Sequence, residues 1–186
     1  MTSPFCQDHP RARQRPIAGR DLAPSAVAIR RKYALNVRFK AAQIRLLNFV
    51  SGGSLAPAST GAYAAGLSML GQSQVFHSRL PAAAAVRVQA LEPLSTGGAV
   101  VLPLRWEASG QASQPLPVLD ADLSLIATAA GTSLLVLNGT FRLPAGQPGP
   151  LPGVAAPPHA AAVACADSLL AHVAAALTSP VPPPHA

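Results

Sequence analysis

The fold is decided by three stretches, Ala99-Val-Val-Leu-Pro-Leu-Arg-Trp-Glu-Ala108, Val118-Leu-Asp-Ala-Asp-Leu-Ser-Leu-Ile-Ala127 and Thr132-Ser-Leu-Leu-Val-Leu-Asn-Gly-Thr-Phe-Arg-Leu143. Each stretch alternates between apolar and polar or small residues, which is the period of a half-buried strand. Turn residues separate the stretches, at Ser109–Pro115 and at Ala129–Gly131. One face carries most of the large apolar side chains and the other carries the charges. The pattern therefore predicts an antiparallel meander with one polar face.

Residues before these stretches give a weaker pattern. Val86–Leu91 predicts a further strand, followed by a turn at Ser95–Gly98. Tyr33–Phe39 alternates as a strand, with Tyr33, Leu35, Val37 and Phe39 on one side. Ala41–Val50 has helical spacing, with Ile44, Leu47 and Val50 as the apolar positions, and ends at Ser51-Gly-Gly53. Ala62–Leu70 is interpreted as a strand of small side chains.

A long helix is predicted at the C-terminus, beginning near His159 after Pro157 and Pro158. Ser168 and His172 are expected on its polar face. A single helix is marginally stable alone, so its apolar side should pack on the apolar face of the meander. The predicted fold class is therefore α+β, an antiparallel sheet packed against a long C-terminal helix. The apolar stripe of the helix consists of Val163, Ala166, Leu170, Val173 and Leu177.

Charge and composition divide the chain of 186 residues unevenly. Residues 1–45 carry ten basic and two acidic residues, whereas the remainder carries four basic and five acidic, so +8 and −1 give the net charge of +7. We predict a disordered basic arm over residues 1–30, one domain over 31–178 with a Pro/Gly-rich loop at 144–158, and a Pro-rich tail over 179–186.

Cysteine use and hydropathy indicate a cytoplasmic protein. Cys6 lies in the arm and Cys165 in the predicted helix, which makes neither a disulfide framework nor a metal spacing. The N-terminus lacks the apolar segment and cleavage site of a secretory signal, and polar residues or proline interrupt the apolar stretches. We therefore expect no membrane span.

The order of elements resembles the helix-grip fold of the START/Bet v 1-like superfamily, also called SRPBCC or polyketide cyclase/lipid transport proteins. The resemblance covers about residues 84–177. It is carried by the segments Val101–Gly110, Pro117–Leu123 and Leu137–Pro144 and by the helix that ends at Val173–Leu177. These segments look like those of a group of uncharacterised actinobacterial members. The chain departs from the family between the last strand and the helix, where Ala145–Pro158 is rich in proline and glycine.

This resemblance implies an apolar cavity between the sheet and the C-terminal helix, and we expect the protein to bind or carry an apolar small molecule there. A cyclase-like or dehydratase-like enzyme that uses the same cavity is the alternative, although no catalytic constellation is visible. A third possibility is a protein that binds a macromolecule through its exposed sheet face or its basic arm. For the arm, a solvated tail is favoured over binding of nucleic acid or an anionic surface. The candidate cavity residues are Leu102, Leu104, Trp106, Leu119, Ala121, Leu123, Leu135, Leu137, Phe141, Leu170 and Val173.

Other candidate sites have simpler interpretations, and we expect no cofactor and no metal. Glu107, Asp120 and Asp122 would fall on the polar strand face beside Arg105 and Arg142, where ion pairs explain them better than acid/base catalysis. Asp167 and His172 are five residues apart on a helix and do not share a face. No nucleophile elbow or Gly-rich phosphate loop is present in the sequence. The histidines are widely separated: His9, His77, His159, His172 and His185.

Overall fold

A six-stranded antiparallel sheet is covered on one face by helices in the computed structural model, which describes residues 26–71, 85–109, 117–142 and 157–179. In chain order the elements are β1 (Ala26–Leu35), α1 (Phe39–Ser51), α2 (Leu55–Gly71), β2 (Ala85–Ala90), β3 (Leu94–Thr96), β4 (Ala99–Ser109), β5 (Val118–Ala127), β6 (Ser133–Arg142) and α3 (Pro157–Thr178).

The strand order is β1-β6-β5-β4-β2, and β3 also pairs with β4. β4, β5 and β6 form the predicted meander, with Trp106 opposite Leu119 and Leu119 opposite Phe141. Nearer the other end of the strands, Leu102 lies opposite Leu123, which lies opposite Leu137. This register places the alternating apolar residues on one inner face. The predicted α+β class, an antiparallel sheet packed against the C-terminal helix, is confirmed.

α3 packs its apolar stripe on the inner face of the sheet. Leu170 is 1% exposed, and Val173 and Leu177 are fully buried. Val163 is only partly buried, so it lies at the border of the stripe. Burial of a large aliphatic or aromatic side chain contributes about 1.5–3 kcal/mol, so this contact is a main source of stability.

Two polar contacts hold α3 from outside the core. Nε and Nη2 of Arg31 in β1 donate hydrogen bonds of 2.6 and 2.8 Å to the carboxylate of Asp167. Arg45 of α1 donates through Nη1 to the Leu177 carbonyl at 2.5 Å, where the last carbonyls of a helix lack partners within the helix. α3 is thus tied to the edge strand along its length and to α1 at its C-terminal end.

The first strand begins earlier than predicted. Residues 26–30 were assigned to the arm, but they belong to β1, which pairs with β6 from Ala26 to Leu35. The strand ends at Leu35, Phe39 begins α1, and Tyr33 is 45% exposed. Backbone hydrogen bonds to β6 hold this polar edge strand. Its own apolar pattern therefore does not predict where it begins and ends. Residues 1–25, most of the Pro/Gly-rich loop and the tail after 179 lie outside the described residues.

The predicted helix over Ala41–Val50 is confirmed as α1, but its buried face is not the one predicted. Ala42 and Leu46 are buried, whereas Ile44 is 61% and Leu47 is 38% exposed. In the sequence, Ile44 was favoured as a buried residue because its side chain is large. The connection from β1 instead orients the helix with Ala42 inward, and the neighbouring packing accepts its small side chain.

The predicted strand over Ala62–Leu70 is wrong, because this segment lies within α2. Alanine favours helices, and small side chains allow two helices to approach closely. A Cβ atom on Gly66 would clash with the Cys165 thiol and lie 2.9 Å from the Ala161 carbonyl oxygen. α2 therefore packs directly along α3.

α3 also has the length and apolar composition of a membrane span. Its segment His159–Thr178 has a mean hydropathy of 1.7, and half of it is buried within the domain. A helix at the centre of a protein core has the same composition, and here the buried side of α3 faces the sheet and α2.

Leu170→Asp tests this docking, because it places a carboxylate at the centre of the buried stripe. We expect the free energy of unfolding to fall by at least about 3 kcal/mol. Ser168→Asp, on the partly exposed side of the same helix, should change it by less than about 1 kcal/mol. Urea denaturation followed by circular dichroism gives both values, and equal losses would mean that α3 does not dock through Leu170.

Candidate functional site

The predicted cavity residues lie together in one layer between the sheet and α3. Their side chains are closely packed in this structure: ten of the eleven are no more than 4% exposed, and Ala121 is 7% exposed. The layer is apolar apart from the indole nitrogen of Trp106. A ligand cavity at these residues stays a prediction, and the structure shows this layer in a closed arrangement.

Glu107 and Asp120 of the outer face form the expected ion pairs. Arg105 Nε donates to Glu107 Oε1 at 2.9 Å, and Arg105 Nη1 lies 3.6 Å from Asp120 Oδ1 on the neighbouring strand. Arg142 pairs with the other oxygen of Asp120. Asp122 forms no ion pair with the described residues. The cross-strand interpretation is therefore confirmed for Asp120, and these partly exposed pairs contribute little stability.

Two buried polar atoms lack a hydrogen-bond partner within the described part of the chain. They are Nε1 of Trp106 and Oγ of Ser59, and both residues are completely buried. Buried polar side-chain atoms are nearly always hydrogen-bonded in folded proteins. Leaving a buried donor without an acceptor costs about 1–3 kcal/mol.

Tyr63 connects α2 to the end of the sheet where Trp106 lies opposite Leu119. Its hydroxyl donates to the Pro117 carbonyl at 3.1 Å, immediately before β5, and β5 pairs Leu119 with Trp106. Ser59 precedes Tyr63 by one helical turn and so lies on the same side of α2. α2 thereby brings the Tyr63 hydroxyl to the end of the sheet that carries the indole of Trp106.

Cys165 adds a thiol from α3 to this region. It packs on Gly66 of α2, three residues after Tyr63 on the same helix. Burial raises the pKa of the Cys165 thiol to about 12, and burial also raises the pKa of the Tyr63 phenol. Both groups therefore stay protonated at neutral pH. We call Ser59, Tyr63, Trp106 and Cys165 the buried polar site.

Within the described ranges, no group of three or more His, Cys, Asp or Glu side chains could hold a metal ion. His172 Nδ1 lies 2.7 Å from the Ser168 carbonyl of its own helix, and His159 is exposed. Asp167 pairs with Arg31 rather than with a histidine. His9, His77 and His185 lie outside the described residues.

Sequence reasoning found only Trp106 among the four residues of the buried polar site. Ser59 and Tyr63 were missed because α2 was not identified as a helix over their positions. The signal was present, since Leu55, Ala58, Ala62 and Gly66 recur at helical spacing. Cys165 was placed in the helix correctly, but its contact with Gly66 depends on the approach of α2.

Ser59→Ala should stabilise the protein, because it removes a buried hydroxyl that has no partner. We expect a gain of about 0.5–2 kcal/mol in the free energy of unfolding. Ser68→Ala on the exposed side of α2 is the matched control, since it makes the same change in helix propensity and its Oγ donates to the Ala64 carbonyl at 2.9 Å. A larger gain from the control, measured by urea denaturation, would contradict the unpartnered state of Ser59.

The raised pKa of Cys165 predicts a loss of stability at alkaline pH. The pKa of Cys165 is about 12 in the folded protein against the ordinary value of 9.0. The contribution of the protonated thiol to the free energy of unfolding is therefore complete below pH 9.0 and is lost as the pH rises toward 12. The slope should reach about 1.4 kcal/mol per pH unit for this one proton. In Cys165→Ala the decline should begin later, near the ordinary phenol pKa of 10.0 that applies to Tyr63. Urea titrations from neutral to alkaline pH would contradict this if the two proteins lost stability in parallel.

Comparison with known proteins finds solved structures that are similar to this chain. No family model and no curated protein matches the chain. An uncharacterised protein from Rhizobium leguminosarum is similar with a TM-score of 0.45 and 10% identity, over 83% of this chain and 96% of that chain. The structure of Ara h 8.0201, a Bet v 1-like allergen, is similar with a TM-score of 0.41 and 15% identity, over 84% of this chain and 100% of that one. At these values the fold assignment rests on the chain's own strand register and helix placement.

Proposed function

We propose that this protein binds a small, mostly apolar molecule between the sheet and the helices, beside Trp106. The observation that carries the proposal is the indole N–H of Trp106, which is completely buried and has no acceptor among the described residues. Small-molecule sites are usually apolar, with a few polar groups that orient the ligand. The buried polar site has this composition.

The unpartnered groups define the kind of ligand. The indole N–H is a donor only, so it requires an acceptor such as a carbonyl, carboxylate or ether oxygen. The hydroxyl of Ser59 on α2 can donate or accept, and it has no partner among the described residues. The remaining contacts come from leucine, valine, alanine and phenylalanine side chains, which bind through burial of apolar area. We therefore expect an apolar molecule that carries at least one oxygen acceptor.

Binding requires movement of α2 or α3, because the inner side chains are already closely packed. The contacts between these two helices involve small residues, such as Gly66 against Cys165. The polar contacts of α3 with Arg31 and Arg45 lie toward the outside of the domain. A ligand that fits only a more open arrangement would shift the population toward it, at the cost of the apolar contacts that open.

Binding without catalysis is favoured over the cyclase-like alternative. General acid/base catalysis works best with a group whose pKa lies near the working pH. The ionisable groups of the buried polar site are Tyr63 and Cys165, and burial moves both pKa values away from neutrality. The macromolecule-binding alternative depends on the basic arm, and residues 1–25 lie outside the described part of the chain. We also propose a cytoplasmic location, which suits the unpaired thiol of Cys165.

The first experiment looks for the ligand itself. We expect native mass spectrometry of the purified protein to reveal a co-purified molecule, and organic extraction should release a compound with an oxygen acceptor. Its addition to ligand-free protein should change the fluorescence of Trp106, the single tryptophan. Binding that leaves Trp106 fluorescence unchanged would place the ligand elsewhere.

A second experiment tests the role of the indole N–H with two probes of matched size. Acetophenone has a carbonyl acceptor and ethylbenzene does not, so acetophenone should bind the native protein about tenfold more tightly. Trp106→Phe removes the donor and keeps an aromatic ring, so the preference should disappear in that variant. Arg105→Ala on the outer face should preserve it. Calorimetry would contradict the proposal if neither probe bound, or if the preference survived in Trp106→Phe.

A further inference from the structure

A groove crosses the outer face of the sheet, on the side opposite the proposed interior site. It has a volume of about 460 Å³ and runs over β2, β4, β5 and β6. Sites for small organic molecules commonly have volumes of about 300–1,000 Å³. The groove therefore has the size of a small-molecule site.

The floor of the groove includes Ala121 and Gly139, whose positions alternate with those of the outer face. Ala121 and Gly139 are direct cross-strand partners on the inner face. A Cβ atom on Gly139 would lie 2.5 Å from Ala121 Cβ and 2.7 Å from Ala121 Cα, whereas opposite Cβ atoms usually lie about 4.5–5.5 Å apart. Because Gly139 has no side chain, β5 and β6 lie close together at this point. The groove occupies the space between two rows of side chains on the outer face.

Ion pairs balance the charges of the first of these rows. Arg105 contacts both Glu107 and Asp120, and Asp120 also pairs with Arg142. The two arginines and the two carboxylates compensate one another. This wall of the groove therefore offers hydrogen bonds but little net charge.

The second row combines an acid with apolar surface. Register places Pro103 opposite Asp122, and Asp122 opposite Asn138. Asp122 is exposed and forms no ion pair with any described residue, and Asn138 beside it offers an amide oxygen. Arg30 lies opposite Asn138 in the same row, one strand further from Asp122. It forms no ion pair with Asp122. At the other end, Leu91 is 65% exposed and Pro103 lies next to it through the hydrogen bond from the Leu91 N–H to the Pro103 carbonyl.

We infer that this outer groove binds a small organic cation, namely a primary amine attached to an apolar ring or short chain. The ammonium group donates to the Asp122 carboxylate and to the Asn138 amide oxygen. The apolar part covers Leu91 and Pro103. Charge-assisted hydrogen bonds to an otherwise unpaired carboxylate are among the stronger polar contacts in proteins, and burial of Leu91 adds apolar area.

The test uses two probes that differ in charge and not in shape. 2-Phenylethylamine carries the ammonium group, and 2-phenylethanol replaces it with a neutral hydroxyl. We expect saturable binding of the amine to the full chain by ¹H–¹⁵N NMR titration, with the alcohol at least about tenfold weaker. The shifted amide signals should belong to Leu91, Asp122 and Asn138.

Asp122→Asn should weaken binding of the amine by about tenfold or more and leave that of the alcohol unchanged. Ser124→Ala, the next outward position on β5, is the matched control and should bind both probes as the native protein does. Equal binding of the two probes, unchanged amine binding in Asp122→Asn, or shifts confined to the inner face would each overturn the inference.

The same ammonium chemistry is available from a lysine side chain of another polypeptide. Competition between 2-phenylethylamine and a short lysine-containing peptide distinguishes the two sources. We expect the peptide to displace the amine no better than free lysine does. Displacement at a much lower peptide concentration would assign the groove to a protein partner and overturn the small-molecule inference.

Discussion

The packing of α3 on the inner face of the meander is the contact on which the other elements depend. The sheet supplies one continuous apolar face through β4, β5 and β6, and α3 supplies the stripe that covers it. Neither surface is stable when exposed to water, so each element is ordered by the other. α1 then caps the C-terminal end of α3 through Arg45, and α2 lies along its side through Gly66.

The sparse use of aromatic residues gives this core its particular character. Only 4% of the chain is Phe, Trp or Tyr, so leucine and alanine fill most of the interior, and Trp106 and Tyr63 occupy its largest spaces. Tyr63 reaches the Pro117 carbonyl with its hydroxyl, whereas the indole of Trp106 does not reach an acceptor in the described residues. The difference between these two aromatic residues is the physical basis for placing a ligand beside one of them.

Much of the fold could be predicted from the sequence because β4, β5 and β6 alternate with period two and α3 carries a regular apolar stripe. These patterns placed Trp106, Leu119, Phe141 and Leu170 in one core. Prediction failed where tertiary contacts override local pattern, since β1 is held by its pairing with β6 and α1 buries Ala42 rather than Ile44. The buried polar site depends on how closely α2 approaches α3, and the outer groove depends on which residues the register of β4, β5 and β6 brings together. Neither arrangement can be predicted from the spacing of residues along one helix or strand.

The pairing of β1 with β6 has a consequence for the order in which the chain folds. Arg31 of the first described strand contacts Asp167, 136 residues later in the chain. During synthesis the meander can form before α3 has left the ribosome, but β1 cannot contact α3 until nearly the whole chain has emerged. Contacts so distant in sequence make folding slow and leave an edge strand open in the meantime. The consecutive cations Arg30, Arg31 and Lys32 lie on this edge strand, and charged side chains on an edge oppose its pairing with another chain.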